Sequence, residues 1–207
     1  MSTDVSAMDD LKDHIEGLLG ESWRRTETAF GELTFHVRRA GVDAAMMRLR
    51  DDPVAELNML IDLCGVDHPG RARRFDLVYH LLSMRHNHRV RVKLTTDEET
   101  PVPSITGVFP VADWYEREAF DMYGIAFEGH PDLRRLLTDY GFDGFPLRKD
   151  FPLTGYVEVR YDESRKQVVY EPVDLPMEHR SFDFLSPWEG AQYVLPGDEK
   201  AGEDPAS

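Results

Sequence analysis

The chain reads as an α+β protein. The expected form is a two-layer sandwich, in which a mixed, largely antiparallel sheet carries helices on one face. The element order is α-β-β-α-β-β-β-α, and a long irregular C-terminal arm follows. Three observations predict this. Apolar residues alternate through three successive segments between Leu57 and Leu94, with short polar connections between them, as in an antiparallel meander. Two earlier stretches place apolar residues at helical spacing. Beyond Pro152, prolines recur too often for long regular elements.

In chain order, Met8, Leu11, Ile15, Leu18 and Leu19 form one helical stripe that ends at Gly20, with Ser6 as a cap. Ser22–Thr28 and Glu32–Arg38 read as strands turning near Gly31, with Phe30, Leu33, Phe35 and Val37 in partial alternation. Val42, Ala45, Met46 and Leu49 give a second helix, closed by Pro53. Leu57, Met59, Ile61 and Leu63 alternate with Asn58 and Asp62 and so predict the next strand, and Phe75, Leu77, Tyr79 and Leu81 are the inward set of the one after. Val90, Val92 and Leu94 mark the last, after a polar turn at Arg85–Arg89. Thr96–Pro110 reads as a loop.

The densest stretch runs from Val111 to Leu153. Asp113 followed by Glu116 resembles a capping box. Arg117 lies four residues from both Asp113 and Asp121 and is expected to pair along that helix face. Gly124 suits the C-terminal cap. His130-Pro131-Asp132 is expected to open a short helix over Leu133–Leu137. Gly144, Pro146 and Pro152 then forbid regular structure, yet Phe142, Phe145, Leu147, Phe151 and Leu153 need a surface to lie on. The plan is a scaffold over 1–110, a signature helix and extended segment over 111–153 completing the same domain, a C-terminal arm over 154–196, and an acidic tail over 197–207 expected to be disordered. Within the arm, Tyr156–Tyr161 and Gln167–Glu171 read as a hairpin. Phe182, Phe184, Leu185 and Trp188 fit equally an arm that orders on a partner and one folded back on its own domain.

A net charge of −15 argues against nucleic-acid binding through a broad basic face. No apolar run reaches the roughly 18 residues of a membrane span. The acidic start MSTDVSAMDDLKD resembles neither a secretory signal nor a transit peptide. The single cysteine, Cys64, cannot supply an iron–sulfur cluster and is expected as a small buried residue. No glycine-rich phosphate-binding fingerprint and no nucleophile elbow is present. His86 and His88 are two apart and would share a strand face, but zinc needs further ligands. Glu116, Glu118 and Asp121 fit an ion-pair network at a surface or interface better than an acid–base pair. Arg134-Arg135 and Arg148-Lys149 form a compact basic cluster suited to anchoring an interface.

Several motifs in this stretch occur in order and with tight spacing. They are Glu116-Arg117-Glu118, Asp121-Met122-Tyr123-Gly124, His130-Pro131, Arg134-Arg135-Leu136-Leu137, and Gly144 through Leu153, which includes Arg148-Lys149-Asp150. Gly155–Tyr161, Val169-Tyr170-Glu171-Pro172 and Phe182-Asp183-Phe184 follow. Together they resemble the signature of the C-type, or thirty-kilodalton-type, subunit of the proton-translocating NADH:quinone oxidoreductase, respiratory complex I. The resemblance implies a non-catalytic member of the peripheral arm, at the cytoplasmic side of a bacterial inner membrane. It implies packing against the large hydrogenase-like subunit of the arm, its cluster-bearing companion and other peripheral-arm subunits. FMN and iron–sulfur clusters would sit in partner subunits and none on this chain, while the assembly passes electrons from NADH to quinone and couples this to proton translocation. The alternatives are the equivalent subunit of a membrane-bound hydrogenase or a quinone- or ferredoxin-linked relative, and a stand-alone hydrolase using Glu116, Asp121 and His130.

Overall fold

The computed structural model describes residues 2–175, with side chains from Met8 onward. The chain divides into two compact units, the first ending at Gly155 and the second beginning at Tyr156. The expectations for Phe182–Trp188 and for the acidic tail lie outside the described residues.

In the first unit, α1 (Ser2–Leu19) leads through a 3-10 turn into β1 (Trp23–Ala29) and β2 (Glu32–Val37). Helix α2 (Val42–Asp51) follows, then β3 (Met59–Asp67), β4 (Phe75–Ser83) and β5 (His88–Thr96). A short β6 (Val102–Pro103), α3 (Ala112–Tyr123) and β7 (Phe127–Glu128) complete it. The five long strands form one sheet in the order β1-β2-β5-β4-β3, in which only β2 and β5 run parallel. This is the mixed, largely antiparallel sheet expected. Its helices cover one face, where Phe35, Phe75, Leu77 and Val92 meet Ile15, Leu19, Met46 and Leu49 in one fully buried core. Alternation puts every second strand residue into that layer.

Departures from the expected pattern have local causes. In β3 the inward residues are Leu60, Leu63, Gly65 and Asp67, while Met59 and Ile61 are exposed. A β-bulge between Leu60 and Asp62 sets two residues, Ile61 and Asp62, against the one partner His80, so simple alternation fails there. Phe30 leaves the alternation because it and Gly31 both carry positive φ, as a tight two-residue hairpin turn requires, and its ring is fully exposed. The expected 96–110 loop contributes β6, which pairs in parallel with β7.

The α3 helix packs along the edge strand β3, and Tyr115 donates from its hydroxyl to the Ile61 carbonyl at 2.9 Å. Lower down, the Tyr123 ring lies against the backbone of Gly65, where a Cβ would come within 2.6 Å of the ring. Absence of a side chain there sets how closely helix and strand approach.

In the second unit, β8 (Val157–Asp162) and β9 (Gln167–Pro172) form the expected antiparallel hairpin. Asp162 accepts from the Ser164 and Arg165 amides to close its turn, and Arg160 pairs with Glu171 at 2.7 Å. Val157, Val159, Tyr161, Val168 and Tyr170 are all exposed.

Gly65→Ala should lower the stability of the purified chain by about 1–3 kcal/mol, because Tyr123 and β3 must separate to admit the methyl group. Urea denaturation checks this, with Gly70→Ala, where a Cβ meets nothing, as the neutral control.

Candidate functional site

The signature stretch is organised around Asp121, on the last turn of α3, whose side chain is fully buried. One carboxylate oxygen accepts the backbone N–H groups of Leu136, Leu137 and Thr138 at 3.0, 2.7 and 2.9 Å. The other accepts from the Thr138 hydroxyl at 2.7 Å and from the Arg135 guanidinium at 3.3 Å. One turn earlier, Arg117 donates to the carbonyls of Arg134 and Arg135 at 3.2 and 3.5 Å and lies over the Trp114 ring. Arg135 in turn donates to the Gly144 carbonyl at 3.1 Å.

This overturns two expectations. Arg117 does not pair along its own helix with Asp113 or Asp121; it reaches across to the following segment. Leu133–Leu137 is not helical. Its amides and carbonyls are taken by Asp121 and Arg117, which leaves them no i→i−4 partners.

A second anchor holds the far end of the segment. Asp67, also buried, is gripped by Arg74 at 2.6 and 2.9 Å and accepts the Lys149 amide at 2.7 Å. Arg74 also meets Asp150 at 3.0 Å and Glu98 at 3.1 Å. Arg148 donates to the Tyr123 carbonyl at 2.7 Å, meets Glu98 at 3.0 Å, and lies over the rings of Phe145 and Phe75. Gly124 lets this happen: it caps α3 in the left-handed region at φ 77°, and a Cβ there would come within 2.7 Å of both Arg148 and Phe145.

Glu116 is buried at the front of α3, but it belongs to no capping box. Val111 precedes the helix with helical dihedrals and no side-chain cap. Glu116 instead accepts the Ile105 amide at 2.7 Å, bracing the turn that enters the helix. Its second oxygen has no hydrogen-bond partner. Buried His130 stands 3.9 Å from it, donates to the Asp113 carbonyl at 3.2 Å and accepts the Asp132 amide at 3.0 Å. His130 thus hydrogen-bonds across a turn and opens no helix.

Burial works against charge at both carboxylates, with opposite outcomes. It pushes the Glu116 carboxyl up, the Ile105 amide only partly offsetting it. At Asp121, burial is overcome by the Thr138 hydroxyl and the three amides, which hold the group below the usual aspartate range. The Arg74 guanidinium, aided by the Lys149 amide, does the same for Asp67. These partners stabilise structure, holding Asp121 and Asp67 in place. Asp121 has both oxygens engaged by donors, and the Glu116 and His130 side chains are fully buried.

Of the residues singled out in the sequence, Glu116, Arg117, Asp121, His130, Arg135, Arg148, Lys149 and Asp150 are brought together into this latch. Glu118 and Arg134 face outward; Arg134 contacts Asp132 at 2.8 Å. Exposed apolar side chains border the latch: Trp114, Leu137, Tyr140, Leu147 and Leu153. Sequence reading missed Asp67 and Arg74, which are far away in the chain; the signal was two charged residues flanking the turn of an otherwise apolar hairpin. His86 and His88 stack at 5.6 Å, but His88 is turned to the Ala55 carbonyl at 2.7 Å. Cys64 is not a core residue. It lies half-buried on the sheet face opposite the helices.

Residues 35–157, more than half of the chain, match the family model described as the respiratory-chain NADH dehydrogenase 30 kDa subunit. The chain is 64% identical over 191 residues to the NADH-quinone oxidoreductase C-type subunit from Maricaulis maris, covering 92% of this chain and 96% of that one. It is 66% identical over 192 residues to the protein of that name from Caulobacter vibrioides, covering 93% and 94%. The match to that of Xanthobacter autotrophicus is 60% over 198 residues, covering 96% and 95%. Among solved structures, a chain of the membrane-bound sulfane sulfur reductase, an archaeal respiratory membrane complex, superposes with a TM-score of 0.60 at 22% identity, over 78% of this chain and 98% of that one. That likeness is one of fold.

Asp121→Ala should cost about 3–5 kcal/mol, since it strands three amides and the Arg135 charge, and should raise amide hydrogen exchange at Leu136–Thr138 first. The acid limb has a definite sign. A depressed carboxylate contributes fully above its unfolded pKa, and that contribution is lost as pH falls through the folded value. Stability should therefore hold from neutrality to about pH 4 and drop below it. Glu116 has the opposite sign, because its raised carboxyl makes ionisation destabilising as pH climbs past 4.5. Glu116→Gln should then change stability at neutral pH by less than about 1 kcal/mol, far less than Asp121→Ala. Denaturation midpoints across a pH series check all three.

Proposed function

Because the chain belongs to the family of the 30 kDa subunit of respiratory-chain NADH dehydrogenase, we propose that it works as the C-type subunit of an NADH-quinone oxidoreductase. In this role it is a structural member of the peripheral arm. The observation that carries this reading is identity of 60%, 64% and 66% to three proteins of that name along nearly their whole lengths.

The partners are other subunits of that complex. More finely, the reading places the chain against the large hydrogenase-like subunit of the arm and its cluster-bearing companion, on the cytoplasmic side of the membrane. Among the described residues no helix is long and apolar enough to cross a membrane, consistent with a peripheral position. FMN and the iron–sulfur clusters are assigned to partner subunits. One cysteine in the whole sequence supports that, since a cluster needs several thiolates.

The chain's contribution is then positional. Electron transfer and quinone chemistry need fixed distances, and a protein whose irregular segment is pinned at both ends presents neighbours with a preordered surface. Preordering lowers the entropy lost on assembly. Leu137, Tyr140 and Leu153, exposed at 61%, 104% and 89%, are the apolar side chains this reading assigns to the partner.

Affinity purification of a tagged copy from solubilised membranes tests it. Flavin and iron–sulfur absorbance should co-purify with NADH:quinone activity; a lone colourless monomer overturns the reading, and cofactor-bearing partners with hydrogenase activity transfer it to a sibling complex. The triple variant Leu137→Ser, Tyr140→Ser, Leu153→Ser should lose the co-purifying cofactors while the isolated chain keeps its melting temperature. Arg117→Glu should lose both, because Arg117 holds the chain's own segment. Normal assembly of the triple variant would reject this surface.

A further inference from the structure

We propose that Asp62, Cys64 and His80 form a binding site for a borderline-soft divalent metal ion, Zn²⁺ foremost. The three lie on neighbouring strands β3 and β4, on the sheet face opposite the helices. Asp62 pairs directly with His80 across the ladder, and Cys64 follows two residues on, so all three side chains rise from one patch. One ligand atom from each lies within 4.8 Å of the other two. Tetrahedral zinc, with bonds of about 2.0–2.3 Å, holds its ligand atoms roughly 3.3–3.8 Å apart. Small side-chain rotations close that difference, because each group is only half-buried.

A thiolate, an imidazole and a carboxylate are the ligand types zinc takes, and three of them leave a fourth position for water. The donor set is too soft for magnesium or calcium.

The backbone is shaped to build this patch. Under unbroken alternation from buried Leu60, Asp62 would point into the core. The β-bulge adds Ile61 to the ladder and turns Asp62 outward beside Cys64, while Leu63 returns to the core. The charges around the patch are mixed. Glu118, on α3, places a further negative charge near Cys64. Arg91 stands opposite His80 across the β4–β5 ladder and its charge opposes a cation there, although its guanidinium is also engaged by Glu32 at 2.6 Å and the Thr34 hydroxyl at 3.2 Å. Lys93 opposes binding from β5. No step of the proposed structural role uses these three residues.

Cys64 is the only cysteine in the sequence, so any metal–thiolate signal reports this site alone. The test is titration of the purified full chain with Co²⁺ in a non-thiol reductant, followed by displacement with Zn²⁺. A near-ultraviolet thiolate-to-cobalt charge-transfer band with tetrahedral visible bands is expected, and Zn²⁺ should abolish both. Cys64→Ser should lose the charge-transfer band, and His80→Gln and Asp62→Asn should each weaken binding by at least about tenfold. His86→Gln/His88→Gln should leave the titration unchanged. Circular dichroism of the metal-free variants confirms that each is folded. If Cys64→Ser does not fold, the His80→Gln titration decides. Absence of a charge-transfer band at saturating Co²⁺ overturns the proposal. A band unaffected by His80→Gln and Asp62→Asn does so too, since it would mean a lone thiol and no site.

Discussion

The hydrogen bonding of Asp121 is the constraint on which the signature half of the domain depends. Ordering backbone costs about 1–2 kcal/mol per residue, and the segment from Gly129 to Leu153 has no helix and no strand of its own to offset that. A buried carboxylate with five donors converts three adjacent amides, otherwise bound for water or for a helix, into a fixed corner. The carboxylate is itself held against desolvation by those donors. Neither partner is stable in its position alone, so helix α3 and the segment fold as one object.

The second anchor completes this logic at the other end. Asp67 belongs to β3 and Arg74 immediately precedes β4, so the Lys149 amide is tied to the meander and not to the helix. The segment thus runs from one buried aspartate to another, bridging the last helix and the sheet. Between them Arg135 and Arg148 lie over Phe145, and the tilted rings of Phe142 and Phe151 pack against each other. This supplies the surface that the aromatic residues of the segment require. Because both aspartates are held by specific donors, the arrangement is rigid where it is charged. Its exposed apolar side chains, Tyr140 and Leu153 among them, ride on a support that does not need a partner in order to form.

How much of this could be read from the sequence divides by range. The sheet, its meander, both early helices and the hairpin after Gly155 follow from apolar periodicity, which is a local signal. The bulge in β3 was illegible because Leu57, Met59, Ile61 and Leu63 alternate well, and nothing local says that Leu60 takes the core position. The chemistry of α3 was misread for a different reason. Spacing made Arg117 a partner for Asp113 and Asp121, but pairs at i, i+4 contribute only a few tenths of a kcal/mol. A buried guanidinium satisfying two carbonyls, and a buried carboxylate satisfying three amides, outweigh that easily. The same competition dissolved the expected helix at Leu133–Leu137. Cys64 was assigned to the core by its apolar neighbours, whereas Leu63 takes the core position and alternation puts the next side chain, that of Cys64, on the other face.

This inward use of charge bears on how the chain carries so recognisable a signature. A residue that only touches a neighbour can be exchanged along with that neighbour. Asp121, Arg117 and Gly124 cannot be exchanged so simply. Asp121 must accept where amides converge, Arg117 must reach two carbonyls, and Gly124 must leave room for Arg148 and Phe145 at a positive φ. The demands are stereochemical and all internal to the chain. Removing any one releases the segment that bears the exposed apolar residues, so damage at a buried position is felt at the surface. In a positional role, folding and function therefore share the same few hydrogen bonds.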